Sequence, residues 1–173
     1  MAGVLSAFKD RLAGWHEGIT LGEVRGKILV LSRNEYDNGP MGGYIKGWTS
    51  GSEIAAQQSA VIVDKDGNES PLWVQDYYHP DGKEDKWNEV KDMIDAALLC
   101  SALPLVINHA SGYVGSLPDY RTNAREINAL AARYISDTGV HRGIMMMDFA
   151  GVSRSNGVKV SGDVLVRALI ENN

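Results

Sequence analysis

The sequence predicts an α/β fold built on a parallel sheet. Three observations carry this. Four apolar segments read as buried strands: Lys27–Arg33 (KILVLSR), Pro71–Asp76 (PLWVQD), Leu103–Asn108 (LPLVIN) and Gly143–Asp148 (GIMMMD). Each apolar run delivers a polar side chain at its carboxyl end, as buried parallel strands do when they feed a shared site. Helical stripes follow at least three of them, and strands alternating with helices imply parallel pairing.

Taken in order, Val4–Leu12 reads as a short amphipathic helix, with Val4, Leu5, Phe8 and Leu12 on one face. Lys27–Arg33 is the first strand. The stretch that follows, NEYDNGPMGGYIKGWTSG, is rich in Gly, Pro, Asn and Ser and is expected to be a long loop. Ser59–Asp64 alternates toward a strand. Asp66–Gly67 is a turn signal that would pair Ala60–Val63 with Pro71–Val74 as a hairpin. Pro71–Asp76 is expected in the main sheet as well.

Asp81 and Glu84 have capping-box spacing ahead of a helix whose face is Trp87, Val90, Ile94, Ala97 and Leu98. Leu103–Asn108 is the next strand, with HASGYVGSLPDY as its loop. Asn123 and Glu126 repeat the capping-box spacing. Ile127, Leu130, Ala131, Tyr134 and Ile135 then form a stripe that ends at Thr138–Gly139. Gly143–Asp148 is the last main strand. Ser161 is expected to cap a final helix facing inward with Val164, Leu165, Ala168 and Leu169. No repeat, low-complexity tract or linker divides the chain, so residues 1–173 read as one domain.

A closed (β/α)8 barrel needs eight strands and typically about 250 residues. Four main strands in 173 residues leave either a small open α/β sheet or about half a barrel.

Composition narrows the function classes. The net charge of −5 argues against nucleic-acid binding, which normally shows a basic face. Cys100 is the single cysteine, which excludes an intramolecular disulfide, and its setting, LLCSALP, favours a buried, inert thiol. No apolar run is long enough to span a bilayer. The first residues lack a basic start and a continuous apolar region, so as written nothing exports the chain.

Arg33, Asp76, Tyr78, Asn108 and Asp148 all fall at strand carboxyl ends. An arginine and two carboxylates can hold a polyol or a phosphate through charge-assisted bonds. Taken singly, each polar residue merely marks the exit from a buried strand; four in succession favour a site. Of four histidines, His16 and His79 read as solvated, and His141 precedes the last strand. His109 follows Asn108 and is placed for acid–base work. No two histidines have metal-ligand spacing, and no metal or cofactor is expected.

Gly39–Gly43 (GPMGG) matches no phosphate-loop pattern and reads as a flexible rim. In the same long loop Tyr44, Ile45 and Trp48 could either dip into a membrane surface or pack on the fold. Asp64–Asn68 (DKDGN) resembles a calcium loop but has its glycine misplaced, so a turn is expected. The three methionines Met145–Met147 need only a buried strand.

The segments LGEVRGKILVLSR, Gly-Gly-Tyr, LWVQDYY with a lysine-rich helix, LVIN and RGIMMMD occur in this order. Together, from about Leu21 onward, they resemble the C-terminal half of bacterial phosphatidylinositol-specific phospholipase C, a PLC-like phosphodiesterase with a TIM-type barrel. The resemblance implies that Arg33 and Asp76 bind inositol hydroxyls and Tyr78 stacks on the ring. It implies that Asp148 orients a catalytic histidine. That base activates the inositol 2-hydroxyl to attack phosphorus, while a second histidine protonates the diacylglycerol oxygen. The products are diacylglycerol and inositol cyclic phosphate, formed without a metal.

In the family both histidines, the phosphate-binding arginine and an inositol-contacting lysine lie in the N-terminal half. None of His16, His79, His109 or His141 is followed by Asp, as the family's first histidine is. The expectation is a substrate wall and an orienting carboxylate, inactive without the N-terminal half. The alternatives are a non-catalytic module that binds inositol headgroups or self-associates, and a rearranged enzyme using His109 with Asp148. Implied partners are phosphatidylinositol or its headgroup, a transient membrane surface, and a homo-oligomer or the missing half. The family is usually secreted; as written this chain reads as cytoplasmic.

Overall fold

From residue 69 to residue 146 strand and helix alternate as the sequence predicts, because each apolar run is followed by an apolar stripe of helical period. The computed structural model describes residues 7–33, 42–48, 58–101, 104–114 and 119–172. The strands are β1 (Leu12–Ala13), β2 (Ile28–Leu29), β3 (Leu31–Ser32), β4 (Gly43–Lys46), β5 (Gln58–Val63), β6 (Glu69–Gln75), β7 (Leu105–His109), β8 (Ile144–Met146), β9 (Arg154–Ser155) and β10 (Val158–Lys159). The helices are α1 (Lys83–Leu99), α2 (Tyr120–Thr138) and α3 (Gly162–Glu171). Strands β3 to β8 form one six-stranded sheet in sequence order. The chain divides into two compact units, residues 1–48 with 59–72, and residues 49–58 with 73–173.

In the first unit the expected strand Lys27–Arg33 is broken at Val30. Ile28–Leu29 pairs parallel with β1, and Leu31–Ser32 pairs parallel with β4. The Val30 carbonyl accepts from Gly43 N at 2.9 Å instead of extending one ladder. The expected amphipathic helix Val4–Leu12 is not continuous: Lys9–Arg11 is a single 3-10 turn and Leu12 begins β1, while Val4 and Leu5 lie outside the described residues.

Part of the expected long loop is also a strand. Gly43–Lys46 pairs antiparallel with β5, so the sheet is mixed rather than wholly parallel. Ile45 is buried there, which removes it as a membrane anchor. The turn before β6 forms as expected, closed by the Asp64 side chain on the amides of Asp66 and Asn68 and on the Asn68 side chain. Those bonds hold the Asp64 carboxyl below its ordinary range.

In the second unit β7 and β8 are parallel. Helices α1, α2 and α3 close one core around Val90, Ile94, Ile127, Ala131, Ile135, Met145, Leu165 and Ala168. The helix starts differ from the capping-box readings. Gly82, not Asp81, caps α1, and Asp119 caps α2 by accepting from Thr122 N at 3.2 Å. Asn123 therefore lies inside α2. Ser161 does sit at the cap of α3 but makes no side-chain cap bond. Gly139 ends α2 with φ of 69°. The buried stripe of α2 is turned toward Ala124, Asn128 and Ala132, leaving Leu130 exposed, and Val164 of α3 is exposed too. Cys100 is half-buried at the end of α1, not buried.

Candidate functional site

Strands β6 and β7 end in the polar residues Gln75 and His109, β8 is followed two residues on by Asp148, and hydrogen bonds draw these ends together. Gln75, the last residue of β6, is fully buried. Its Nε2 donates to Asn108 Oδ1 at 2.9 Å and to the His109 carbonyl at 3.0 Å, tying β6 to the end of β7. Its Oε1 accepts from Tyr77 N at 2.7 Å. Asn108, also buried, donates onward to the Val90 carbonyl on α1 at 2.8 Å. The end of β8 joins through Met146, whose carbonyl accepts from Ala110 N and Ser111 N. The great majority of buried polar groups in folded proteins are satisfied in this way.

On this floor stand the titratable groups. His109 Nδ1 lies 3.6 Å from Asp76 Oδ1, with Ser111 Oγ 3.5 Å from the same nitrogen. The Gly112 amide donates to Asp148 Oδ2 at 3.3 Å. Asp148 lies in a turn just beyond β8, and Asn128 Nδ2 holds that turn by donating to the carbonyls of Asp148 and Val160. Burial pushes the Asp148 carboxyl above its ordinary range, against the Gly112 amide and the charge of Lys86, which favour the carboxylate. Asn123 Nδ2, which the sequence reading placed in a cap, instead donates to the Ala110 carbonyl beneath the β7 loop.

Tyr78 is exposed, and its carbonyl accepts from Tyr113 N at 2.9 Å. Its ring lies 6.3 Å from that of Tyr113, which also stacks on His79 at 4.6 Å. His79 is thus half-buried in an aromatic cluster rather than solvated. His141 is buried away from these strand ends, before β8, and burial pushes its imidazole below the ordinary value. His16 is exposed in the first unit beside Glu23.

Arg33 belongs to the first unit. It is exposed just past β3, its guanidinium 4.6 Å above the Trp48 ring and donating to the Trp48 carbonyl at 3.2 Å. The second unit therefore brings together Asp76, Tyr78, Asn108, His109 and Asp148, and Asn108 serves the floor rather than facing outward.

Lys86 escaped the sequence reading. It is fully buried on the inward face of α1, where Val90, Ile94 and Ala97 follow at helical spacing. A lysine in register with that stripe was the available signal. Its Nζ donates to the Tyr77 carbonyl at 2.6 Å and approaches Gln75 Oε1 at 3.4 Å. Among the described residues no group of three His, Cys, Asp or Glu side chains is arranged to hold a metal.

No protein-family model and no curated protein sequence matches the chain. Solved structures do. A mutant of the phosphatidylinositol-specific phospholipase C from Staphylococcus aureus matches with a TM-score of 0.66 and 24% identity, over 94% of this chain and 54% of that one. A pentafluoro-Phe form of the same enzyme gives 0.65 and 25%, with the same coverage. The enzyme from Listeria monocytogenes gives 0.60 and 20%, over 96% of this chain and 56% of that one. The chain spans about half the length of these structures. Its fold is accordingly about half of the TIM-type α/β barrel of bacterial phosphatidylinositol-specific phospholipase C, the family that its sequence resembles.

Proposed function

We propose that this chain is the C-terminal portion of a phosphatidylinositol-specific phospholipase C-like barrel, and that it supplies the substrate wall and the orienting carboxylate of a phosphodiesterase. The observation that supports this most is the contact of His109 with Asp76 at the ends of β7 and β6, with Asp148, just beyond β8, held by the Gly112 amide of the β7 loop. In this reading Asp76 and Arg33 accept and donate hydrogen bonds to inositol hydroxyls, and Tyr78 offers its exposed ring to the sugar face. Asp148 orients a histidine from the complementary half of the barrel and stabilises its imidazolium, as the carboxylate of a triad does.

That histidine takes the proton of the inositol 2-hydroxyl as its oxygen attacks phosphorus. The bond to the diacylglycerol oxygen breaks, and a second histidine protonates it. The substrate is phosphatidylinositol at a membrane surface, and the chain without the complementary half is inactive. Each missing acid or base removes about 10²–10⁴ in rate.

The pair His109–Asp76 favours a second reading, in which this chain carries its own proton-transfer group. Both readings are tested by release of water-soluble inositol phosphate from phosphatidylinositol vesicles. The chain is assayed alone and mixed with the N-terminal half of the Staphylococcus aureus enzyme. Release only in the mixture, lost in Asp148→Asn, supports the first reading. Release by the chain alone, lost in His109→Ala, overturns it in favour of the second. Binding of myo-inositol without release in either sample reduces the chain to a headgroup-binding module.

A further inference from the structure

The chemistry assigned above gives Lys86 no part, yet no solvent reaches its side chain. Lysines normally extend to water along their apolar stems. Here α1 turns the amine inward, behind the end of β6. Its two contacts, the Tyr77 carbonyl and Gln75 Oε1, flank Asp76 in the sequence. Gln75 carries the constraint to the carbonyl of His109, the residue that faces Asp76.

The charges facing Lys86 come from every side of the site. Asp76 stands at the end of β6, Glu89 on its own helix and Asp148 beyond β8, and each favours the ammonium. His109, at the end of β7, lies against Asp76. Burial nevertheless pushes the amine down to about 7. At Asp148 the balance is the mirror image, with burial favouring the acid and the Lys86 charge favouring the carboxylate.

We propose that Lys86 is the positioning residue of this site: its amine, held by the Tyr77 carbonyl and Gln75 Oε1, fixes the strand end that presents Asp76 to His109. The inference rests on the reading of Asp76, His109 and Asp148 as site residues, but its test needs no substrate.

The test compares the 173-residue chain with Lys86→Met, which keeps the bulk and removes the amine, by NMR of the His109 ring and by hydrogen exchange of the Tyr77 amide. In folded Lys86→Met the His109 ring signals are expected to shift and the Tyr77 amide to exchange roughly tenfold faster, since the amine that held the Tyr77 carbonyl is gone. A lysine serving only general stability would leave both readouts as they were, and that outcome overturns the proposal.

Should that variant not fold, the wild-type chain decides. With 15N-labelled lysine, nuclear Overhauser contacts from the Lys86 side chain to Tyr77, with slowed exchange of its Nζ protons, support the proposal. Nζ protons that exchange as fast as those of exposed lysines overturn it. Binding of myo-inositol, measured on the same samples, reports the functional reading separately. Failure to bind would count against that reading and leave the NMR result standing.

Discussion

Gln75 donates to the side-chain oxygen of Asn108 at 2.9 Å, and neither residue meets solvent to any extent. This bond joins the ends of β6 and β7 below the titratable groups. Gln75→Leu keeps the volume but takes the donor from the Asn108 oxygen and the acceptor from the Tyr77 amide. Each buried group left unsatisfied costs about 1–3 kcal/mol, so a loss of about 2–4 kcal/mol is expected. Urea denaturation measures it, and a loss below about 0.5 kcal/mol would contradict the role assigned to Gln75.

Gly112 has φ of +146°, and a Cβ there would stand 2.7 Å from the Tyr78 carbonyl oxygen. Gly112→Ala is expected to cost about 1–3 kcal/mol in backbone strain. It should also move the amide that aims Asp148 and disturb the packing of Tyr78 on Tyr113. Near-ultraviolet circular dichroism of the tyrosines should change before the fold is lost. An unaltered spectrum with unaltered stability would show that the loop accommodates a side chain.

The depressed amine of Lys86 fixes the sign of one pH effect. In the folded chain it releases its proton near 7, while the unfolded chain holds it to the ordinary lysine value of 10.5. Between those values the unfolded state binds more protons, so stability rises with pH, by up to about 1.4 kcal/mol per pH unit. Below about pH 7 the penalty is fully present. Lys86→Met should lack this slope, which chemical denaturation of both proteins between pH 6 and 10 would reveal as a diverging difference. Parallel curves would refute it.

Asp148 acts in the opposite sense. Its carboxyl is raised, so the folded chain holds a proton that the unfolded chain releases above the ordinary value of 3.8. Stability therefore falls as pH rises through this window, and the penalty is complete above the folded midpoint. Asp148→Asn should match the wild type in acid and exceed it at neutrality, while abolishing inositol phosphate release in the complemented assay. A variant less stable at neutrality would show that the carboxylate is stabilising there.

The main elements were legible because the apolar runs and stripes stand alone. Residues 71–76, 105–108 and 144–146 lie in or directly beside strands, as expected, and α1 and α2 fall where the stripes lie. Strand β4 was hidden because Gly42 and Gly43 read as loop. Both actually serve close approach: a Cβ on Gly43 would meet the Ile62 side chain at 2.5 Å. The capping spacings misled at Asp81 and Asn123 because many side chains near a helix start share that spacing, and the chain path selects among them. Tertiary pairings such as Gln75 with Asn108, 33 residues apart, leave no local mark.

The aligned donors and acceptors beneath Asp76 and His109 are set when the chain folds. Their rotamers are already restricted by Gln75, Asn108 and Lys86 before anything arrives. A ligand meeting these strand ends therefore finds little left to freeze there, and the entropy lost on association comes chiefly from the ligand and from exposed side chains such as Tyr78. If, as proposed, an inositol headgroup binds here, recognition should be selective for shape: a stereoisomer with one hydroxyl reversed would meet groups that cannot turn to follow it.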